Sequence, residues 1–333
     1  MKARSIFLIL LIVFIACDDR QKPMRNVIRA PASTEVETYL STGVGTYLVL
    51  DSDSPPIYWT EYDFRSRPHS VKIQRLDGTN LQDIISDFAP DTFVTILAVD
   101  VGAGKIYYHT QNPSENKAYR ANLDGSNIQI LVEANVSRLA VHGGKIYWAE
   151  FYGNFIHTVN QDLSNYEKIA AGPSVEAIAI DTQSDKIYWA IDDIENPSPL
   201  DYRYFKRKIQ RANLDGSNIQ DIVTGLDLPD HMAVDSQKGK IYWVDRITDK
   251  IQRANLDGSN VQDIVILPEQ SSTSISLDVQ RGKIYWAGWT NIGLEIYRAN
   301  LDGSNIQTVV HAGTPNAKFS GNSFHVVPPH DKL

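Results

Sequence analysis

The sequence predicts an all-β protein, a six-bladed β-propeller with four antiparallel strands in each blade. Three recurring features predict this fold. An Ile-Tyr-Trp or Ile-Tyr-Tyr tripeptide occurs six times, an apolar run usually ends in aspartate eight residues before the last aromatic, and a hairpin-turn sequence follows the tripeptide. The tripeptides lie 40 to 54 residues apart. A period of this length in β-rich, aromatic units is typical of propellers, in which each unit forms one blade.

The recurring features define six repeats. The tripeptides are Ile57-Tyr58-Trp59, Ile106-Tyr107-Tyr108, Ile146-Tyr147-Trp148, Ile187-Tyr188-Trp189, Ile241-Tyr242-Trp243 and Ile284-Tyr285-Trp286. An Asp-Gly turn follows in five repeats, at 77–78, 124–125, 215–216, 257–258 and 302–303. The third repeat has Asp162-Leu163 instead and lacks the glycine. Asp-Gly favours a tight hairpin because glycine accepts a positive φ without a Cβ clash.

Each repeat is expected to form four strands, as repeat 5 illustrates. Its first strand ends at Asp235, its second is Lys240 to Asp245, its third is Lys250 to Leu256 and its fourth is Val261 to Ile266. The second strand is almost continuously apolar, which indicates that neighbouring blades cover both of its faces. A tryptophan in five of the six second strands is expected to fill the space between packed sheets.

Two polar positions also recur with the repeat. The aspartates that end the first strands either surround the axial channel or cap the following turn, and local sequence favours the cap. The arginines of the third strands are expected to pair with carboxylates of neighbouring blades. The aspartates are Asp51, Asp100, Asp181, Asp235 and Asp278, with His142 in the third repeat, and the arginines are Arg75, Arg120, Arg211, Arg253 and Arg298.

The repeat resembles a known family at these residues. Its pattern, apolar-Asp, then Lys-Ile-Tyr-Trp-x-Asp, then Ile-x-Arg-Ala-Asn-Leu-Asp-Gly-Ser-Asn, is similar to the YWTD repeat (low-density-lipoprotein-receptor class B repeat) over about residues 45–311. The resemblance implies a six-bladed propeller used for binding and not for catalysis. The aspartate that closes YWTD is retained only as Asp245, and the cysteine-rich modules that flank receptor propellers are not found in this sequence.

The N-terminal residues resemble a bacterial lipoprotein signal. Lys2 and Arg4 precede an apolar run from Ile6 to Ile15, and Cys17 follows. The run is shorter than the roughly 20 residues of a spanning helix. We therefore expect a signal peptide at 1–16, a lipid on Cys17, a polar tether at 17–42, the propeller at 43–327 and a tail at 328–333. The alternative is an ordinary secretory signal with an incidental cysteine.

Composition and motifs narrow the function. The formal net charge of −8 argues against nucleic acid and against an anionic membrane surface as partners. We therefore expect the lipid anchor to be the only contact with the membrane. No HExxH metal motif or GxSxG nucleophile elbow occurs in the sequence. We therefore expect no cofactor, no metal site and no catalytic residues.

Loops that vary between repeats are the best candidates for a binding site. The connection between second and third strands is short at 246–249 and longest at 192–206. In a propeller these connections share one face with the linkers between blades, and loops on a rigid scaffold commonly carry binding residues. Tyrosine, tryptophan and arginine are enriched at interface hot spots. The candidate residues on this face are Tyr62, Phe64, Arg65, Arg67, His69, Phe151, Tyr152, Tyr202, Tyr204, Phe205 and Trp289.

The predicted function is a non-enzymatic binding module, anchored in the cell envelope and facing the periplasm or the exterior, that presents this face to a protein or peptide. Two alternatives stay open. One is a metal-dependent propeller enzyme of the lactonase or lyase type, and the other is an obligate scaffold subunit of an envelope complex. At each candidate position, the competing interpretation is an aromatic that only packs its own loop.

Overall fold

The regular structure of the chain consists of strands. The computed structural model describes residues 27–29, 35–38, 46–51, 57–62, 71–76, 81–86, 88, 92–100, 102–112, 115–150, 153–172, 174–192, 207–267, 274–290, 293–312 and 324–326. Twenty-seven strands lie in these ranges. Within the same ranges, no helix has the length and hydropathy needed to cross a membrane.

The strands follow the repeats in order. The first six are β1 (Val27–Arg29), β2 (Glu35–Thr38), β3 (Thr46–Asp51), β4 (Ile57–Tyr62), β5 (Val71–Leu76) and β6 (Leu81–Ile85). Repeat 2 contains β7 (Phe93–Asp100), β8 (Lys105–Asn112), β9 (Glu115–Asn122) and β10 (Gln129–Val132). Repeat 3 contains β11 (Val136–His142), β12 (Lys145–Glu150), β13 (Phe155–Asn160) and β14 (Glu167–Ala171).

The remaining repeats continue this series. Repeat 4 contains β15 (Ala177–Asp181), β16 (Lys186–Asp192), β17 (Arg207–Asn213) and β18 (Gln220–Leu226). Repeat 5 contains β19 (Pro229–Asp235), β20 (Lys240–Asp245), β21 (Lys250–Asn255) and β22 (Gln262–Ile266). Repeat 6 contains β23 (Ser274–Asp278), β24 (Lys283–Thr290), β25 (Gly293–Asn300) and β26 (Gln307–Ala312), and β27 (Phe324–Val326) follows.

Five sheets have four strands each, and the sixth differs. Repeats 2 to 5 each form a sheet from their own strands, and a further sheet has the order β27-β4-β5-β6. The strands of repeat 6 lie in a seven-stranded sheet of order β1-β2-β3-β26-β25-β24-β23. All strand pairs within the repeats are antiparallel. The predicted all-β propeller with four-stranded antiparallel blades is therefore confirmed. The predicted number of six such blades is not, because the described residues form five four-stranded sheets and the sheet of repeat 6 has seven strands.

The first strand predicted for repeat 1 lies elsewhere. Asp51 does end a strand, but that strand, β3, pairs with β26 and not with β4. The neighbour of β4 on that side is β27, with Phe324 opposite Trp59 and Val326 opposite Ile57. Residues 324–326 lie at the end of the segment 43–327 that is predicted to form the propeller, and they form this strand. Strands β1 and β2 lie within the segment 17–42 that was expected to be a polar tether.

The second strands supply the core between sheets, as the sequence predicts. Trp243 has no exposed surface and packs with Tyr188 and other residues of repeat 4. Its neighbour Tyr242 points to the other face and packs with Trp286 of repeat 6. Because successive strand residues alternate between faces, the Tyr-Trp pair lets one strand fill the spaces on both sides of its sheet. Trp148 and Trp189 are buried in the same way.

Neighbouring sheets are also joined at the Asp-Gly turns. Arg211 of repeat 4 donates from Nη1 to the Leu256 carbonyl in the turn of repeat 5, at 2.9 Å. Arg253 makes the same bond to Leu301 of repeat 6. The arginines therefore do link neighbouring repeats, but the prediction of carboxylate partners was wrong. Their other donors bond glutamine, as from Arg211 to Gln220. A backbone carbonyl is a fixed acceptor in every copy of the turn, whatever its side chains.

The strand-end aspartates cap the turns that follow them, as predicted. Asp100 accepts a hydrogen bond from the backbone N–H of Ala103, at 2.9 Å. Asp235 and Asp278 bind the corresponding N–H groups in repeats 5 and 6, each at 3.0 Å. Asp181 does so one residue earlier, at Gln183. A side-chain acceptor here satisfies a turn donor that has no strand partner.

The third repeat carries backbone strain where it lacks the turn glycine. Leu163 occupies that position with φ of 69° and is 40% exposed. A left-handed conformation costs a non-glycine residue about 1–2 kcal/mol. We expect Leu163→Gly to raise the free energy of unfolding by about 0.5–1 kcal/mol, after the entropy cost of glycine. Urea unfolding measures this, and a loss of stability would show that Leu163 contributes packing that outweighs its strain.

Candidate functional site

The two ends of the sheets carry different connections. At one end, the third-to-fourth turn bonds the first-to-second turn, as from the Leu256 N–H to the Gly239 carbonyl at 3.1 Å. We call this end the turn face. At the other end, the second-to-third connection bonds the linker between repeats, as from the Arg246 N–H to the Leu228 carbonyl at 3.1 Å. We call this end the connection face. The loops that vary between repeats are predicted to lie on the connection face.

A group of charged side chains lies where the first strands begin, on the connection face. Arg138 donates from Nη2 to Asp230 Oδ1, and Arg246 donates from Nη1 to Asp230 Oδ2 at 3.1 Å. His231 Nε2 lies 3.6 Å from Asp230 Oδ1. We call these four residues the Asp230 cluster. One carboxylate therefore accepts hydrogen bonds from two guanidinium groups and lies beside an imidazole.

The cluster joins repeats that are not adjacent. Arg138 belongs to β11 of repeat 3, whereas Asp230 belongs to β19 of repeat 5. Strand β15 of repeat 4 lies between them and contacts both β11 and β19. The first strands of repeats 2 to 6 contact one another in succession. The Arg138–Asp230 pair therefore reaches past the first strand of repeat 4 and joins repeats 3 and 5 on the connection face.

Two β-bulges aim these side chains. The register of β19 against β20 shifts between Asp230 and Met232, at His231, and that of β11 against β12 shifts between Val136 and Arg138. Strands β15 and β23 pair with their second strands without such a shift. A bulge inserts one residue and re-aims the side chains beside it. His231 has a φ of 36°, and its N–H donates to Asp230 Oδ1 at 2.9 Å.

Asp230 is charged although it is buried. Its side chain is 5% exposed. Burial alone would raise the pKa of Asp230, but the nearby His231, Arg138 and Arg246 outweigh that effect and hold it well below its ordinary value. Even with His231 neutral, two guanidinium groups face one carboxylate, so the cluster carries an excess positive charge. The Arg246 side chain is 51% exposed and brings this charge to the surface.

Asp245, the one aspartate retained from YWTD, positions the connection that carries Arg246. Its Oδ1 accepts from the N–H groups of Ile247 and Thr248, at 3.1 and 3.0 Å. Its Oδ2 accepts from the N–H of Asp227, in the linker before β19, at 3.3 Å. The carboxylate thereby holds a connection and an interblade linker together. Arg246 follows it directly in the chain and takes its place from that contact.

The sequence-predicted site residues fall outside the part of the chain whose side chains are described. Tyr62 is the last residue of β4, opposite Val71, and Trp289 lies in β24 opposite Leu294. The others lie outside the described residues altogether: Phe64, Arg65, Arg67, His69, Phe151, Tyr152, Tyr202, Tyr204 and Phe205. Cys17 is outside them too. Sequence reasoning missed Arg138 and Asp230. One available signal was a lone arginine four residues before the end of β11, where the corresponding residues are Ile96, Ala177, His231 and Ser274.

Among the described residues, no group of three or more His, Cys, Asp or Glu side chains is arranged to hold a metal ion.

Comparison with known proteins supports the repeat family. The model of the low-density lipoprotein receptor repeat class B matches residues 239–267, which include the Lys-Ile-Tyr-Trp-Val-Asp sequence of repeat 5. The chain is 34% identical over 200 residues to "Low-density lipoprotein receptor-related protein 1" of Pyricularia oryzae, an alignment that covers 52% of this chain and 62% of that protein. It is 32% identical over 139 residues to a human "Low-density lipoprotein receptor-related protein 5-like protein", covering 39% and 51%.

A solved structure shows the same fold. The "Crystal structure of Nidogen/Laminin Complex" contains a chain that matches with a TM-score of 0.61 and 16% identity, over 85% of this chain and 98% of that one. The present chain spans less than two thirds of the length of the curated relatives that it matches. These matches support a YWTD β-propeller. They leave its partner to be argued from the site.

Proposed function

We propose that this protein is a non-enzymatic binding module whose connection face receives a protein or peptide partner, with the Asp230 cluster at the centre of the contact. The cluster is the observation that carries the proposal. Its half-exposed Arg246 sits on a buried carboxylate that fixes its position. A charge held in this way loses little side-chain entropy when a partner binds, so it is well suited to act as an anchor.

The cluster also defines the chemistry of the partner's anchor. Its excess positive charge favours an acidic or amide side chain, because a guanidinium group with free donors recognises such oxygens. The aromatic residues predicted on the same face, among them Tyr62 and Trp289, would surround this anchor. Aromatic residues around a central charged anchor are a common interface composition. The relatives support a protein ligand, since one of the similar solved structures is a protein–protein complex by its title.

The proposal includes a closed ring of six blades. Strand β27 contacts both β23 and β7, so the sheet β27-β4-β5-β6 lies between those of repeats 6 and 2. The core of the seven-stranded sheet would then be the sixth blade. Closure of the ring protects the inner strand edges. A rigid ring also gives the connection face a fixed shape.

Reversal of the charge at Arg246 tests whether the connection face binds the partner. We expect Arg246→Glu to weaken capture of the partner from envelope extract at least tenfold, because it reverses the exposed charge of the anchor. Lys238→Glu is the matched control, since Lys238 is exposed in the same repeat but lies in the turn between β19 and β20, on the turn face. Titrated pull-down with quantitative mass spectrometry measures both. Equal loss in the two variants, or loss in neither, would contradict the proposed face.

We further propose that the domain is held at a bacterial cell envelope by a lipid on Cys17 and faces the periplasm or the exterior. The apolar run before Cys17 and the charges at Lys2 and Arg4 support this. Cys17→Ser is expected to abolish incorporation of a labelled fatty acid and to release the protein from the membrane fraction. Incorporation that persists in the variant would overturn the lipid assignment and leave the binding face unaffected.

A further inference from the structure

A cavity lies on the turn face between repeats 4 and 5. Its volume is about 290 Å³, at the lower end of the range for small-molecule sites. Ser184 and Lys186 line it from repeat 4, and Leu256 lines it from the turn of repeat 5. The cavity is therefore at the opposite end of the sheets from the Asp230 cluster, and the binding function proposed above does not use it.

Two cationic side chains, Arg211 and Lys186, line the cavity. The Arg211 guanidinium donates to Gln220 Oε1 from Nε and Nη2, at 3.0 and 2.9 Å, and to the Leu256 carbonyl at 2.9 Å. These bonds fix its position before any ligand binds. The Lys186 ammonium donates to Asn213 Oδ1, which uses one of its three N–H groups. A fixed guanidinium beside an ammonium favours an anionic group in the cavity.

The carboxylates near the cavity are bonded within their own turns or to a neighbouring repeat. Asp181 accepts a hydrogen bond from the Ser184 hydroxyl. Asp215 and Asp257 each accept from the serine two positions later in the Asp-Gly turn. Asp185 Oδ1 lies 2.9 Å from His142 Nε2 of repeat 3. None of the described residues that line the cavity is acidic. Because the surrounding acids weaken the positive potential, the two cations suit a singly charged anion better than a doubly charged one.

The remaining wall of the cavity is apolar. Tyr188, Ala212 and Leu256 form it, and Tyr188 and Ala212 are each 1% exposed. Small-molecule sites commonly combine such a wall with a few fixed polar groups that orient the ligand. The arrangement suits a ligand with one charged group on a short apolar body.

Three features produce this cavity, and among repeats 2 to 6 only repeat 4 combines them. They are an arginine opposite the second-strand tyrosine, a small residue three positions after the strand-end aspartate, and a leucine in the turn of the next repeat. Repeat 5 has Lys238 in the place of Ser184, and repeat 6 has Arg281. Repeat 3 has Thr158 in the place of the arginine. Next to repeat 2, the following turn supplies Gln161 and not leucine.

The position of Lys238 indicates how a longer side chain closes the corresponding space. Its Nζ lies 4.0 Å from the place that a Cβ on Gly282 of repeat 6 would occupy. Gly239 is the corresponding glycine of repeat 5, and a Cβ added there meets no atom within 4 Å. The space that Lys238 enters between repeats 5 and 6 is therefore open between repeats 4 and 5.

We propose that this cavity binds a small monocarboxylate with a short apolar body, of the class of aromatic or branched aliphatic carboxylic acids. The carboxylate accepts hydrogen bonds from Arg211 and Lys186, and the apolar body packs against Tyr188 and Leu256. Because the site is on the turn face, the protein can hold this ligand while the connection face is occupied.

Fluorine NMR with 4-fluorobenzoate tests the site in the full chain, since binding broadens the signal of the ligand and a titration gives its dissociation constant. We expect Ser184→Lys to weaken binding at least tenfold, because the longer side chain fills the cavity. Repeat 5 carries lysine at the same place, so the fold accommodates it. The uncharged 4-fluorobenzyl alcohol should bind at least tenfold more weakly than 4-fluorobenzoate. Equal affinity for the two compounds, or displacement by an equal concentration of inorganic phosphate, would contradict the assigned ligand class.

Lys238→Ser is the converse variant, and its result does not depend on the folding of Ser184→Lys. It should open the corresponding space between repeats 5 and 6, where Arg253 and Leu301 take the places of Arg211 and Leu256. The number of 4-fluorobenzoate sites should then rise from one to two. The inference is overturned if the parent protein does not bind 4-fluorobenzoate, if folded Ser184→Lys binds it as tightly as the parent, or if Lys238→Ser gains no site.

Discussion

Gly216→Ala is expected to lower the free energy of unfolding by about 2–5 kcal/mol. Gly216 has a φ of 81° in the Asp-Gly turn of repeat 4. A Cβ added there would overlap the carbonyl oxygen of Ile169 in repeat 3, with the carbonyl carbon at 2.5 Å and the Ile169 Cα at 3.1 Å. These atoms are backbone, so a rotamer change cannot relieve the clash. The two sheets would have to separate.

Gly225→Ala is the control for this prediction. Gly225 has a similar φ of 75°, but an added Cβ meets nothing within 4 Å. It should lose only the cost of the left-handed conformation, about 1–2 kcal/mol. Urea unfolding of both variants separates backbone strain from contact between the sheets. Equal losses would show that Gly216 serves the turn alone and not the close approach of repeats 3 and 4.

The second large effect is acid destabilisation through His109. This side chain is 4% exposed, and burial lowers its pKa from 6.5 to about 4, while a hydrogen bond to the Ala134 carbonyl opposes the shift. Below pH 6.5 the unfolded chain binds a proton at His109 that the folded chain does not. Stability is therefore fully present above that pH and falls as the pH decreases toward 4, by about 3 kcal/mol.

His109→Ala should remove most of this slope. Repeats 3, 4 and 6 already have alanine at the corresponding positions, Ala149, Ala190 and Ala287, so the backbone accommodates it. Urea unfolding at a series of pH values from 7 to 4 gives the slope for each protein. Packing lost in the variant changes its stability at every pH, whereas proton linkage changes only the slope. A variant whose slope equals that of the parent would contradict the assignment. His157 contributes to the pH dependence that remains in the variant, because burial lowers its pKa as well.

Features that repeat were predictable, because six copies in one chain separate pattern from chance. The burial of Trp189 and Trp243, the capping role of Asp235 and the absence of glycine at Leu163 all followed from comparing repeats. The arginine partners were not predictable, because sequence identifies a recurrent cation but does not say whether a carboxylate or a carbonyl lies within reach. Repeat 5 supplied the clearest example, since Arg253 bonds the Leu301 carbonyl.

Features that occur in only one repeat could not be predicted from the sequence, and the reason is physical. The pair Arg138–Asp230 joins residues 92 positions apart. This pair depends on β-bulges in β11 and β19, and no turn-forming residue in the sequence predicts these bulges. The pairing of β3 with β26, and of β27 with β4, joins residues from opposite ends of the chain, and local spacing cannot identify such partners. The proposed binding site lies at such departures from the repeat, because a ring of identical loops offers little selectivity.

Site-specific photocrosslinking tests the binding face most directly. A benzophenone side chain would replace either Ile247 or Val261, two aliphatic residues of repeat 5 with 43% and 45% exposure. Ile247 follows Arg246 on the connection face, whereas Val261 follows the Asp-Gly turn on the turn face. Illumination in intact envelopes should give a protein adduct from position 247 and none from position 261. An adduct from position 261 alone would place the partner on the opposite face and contradict the account.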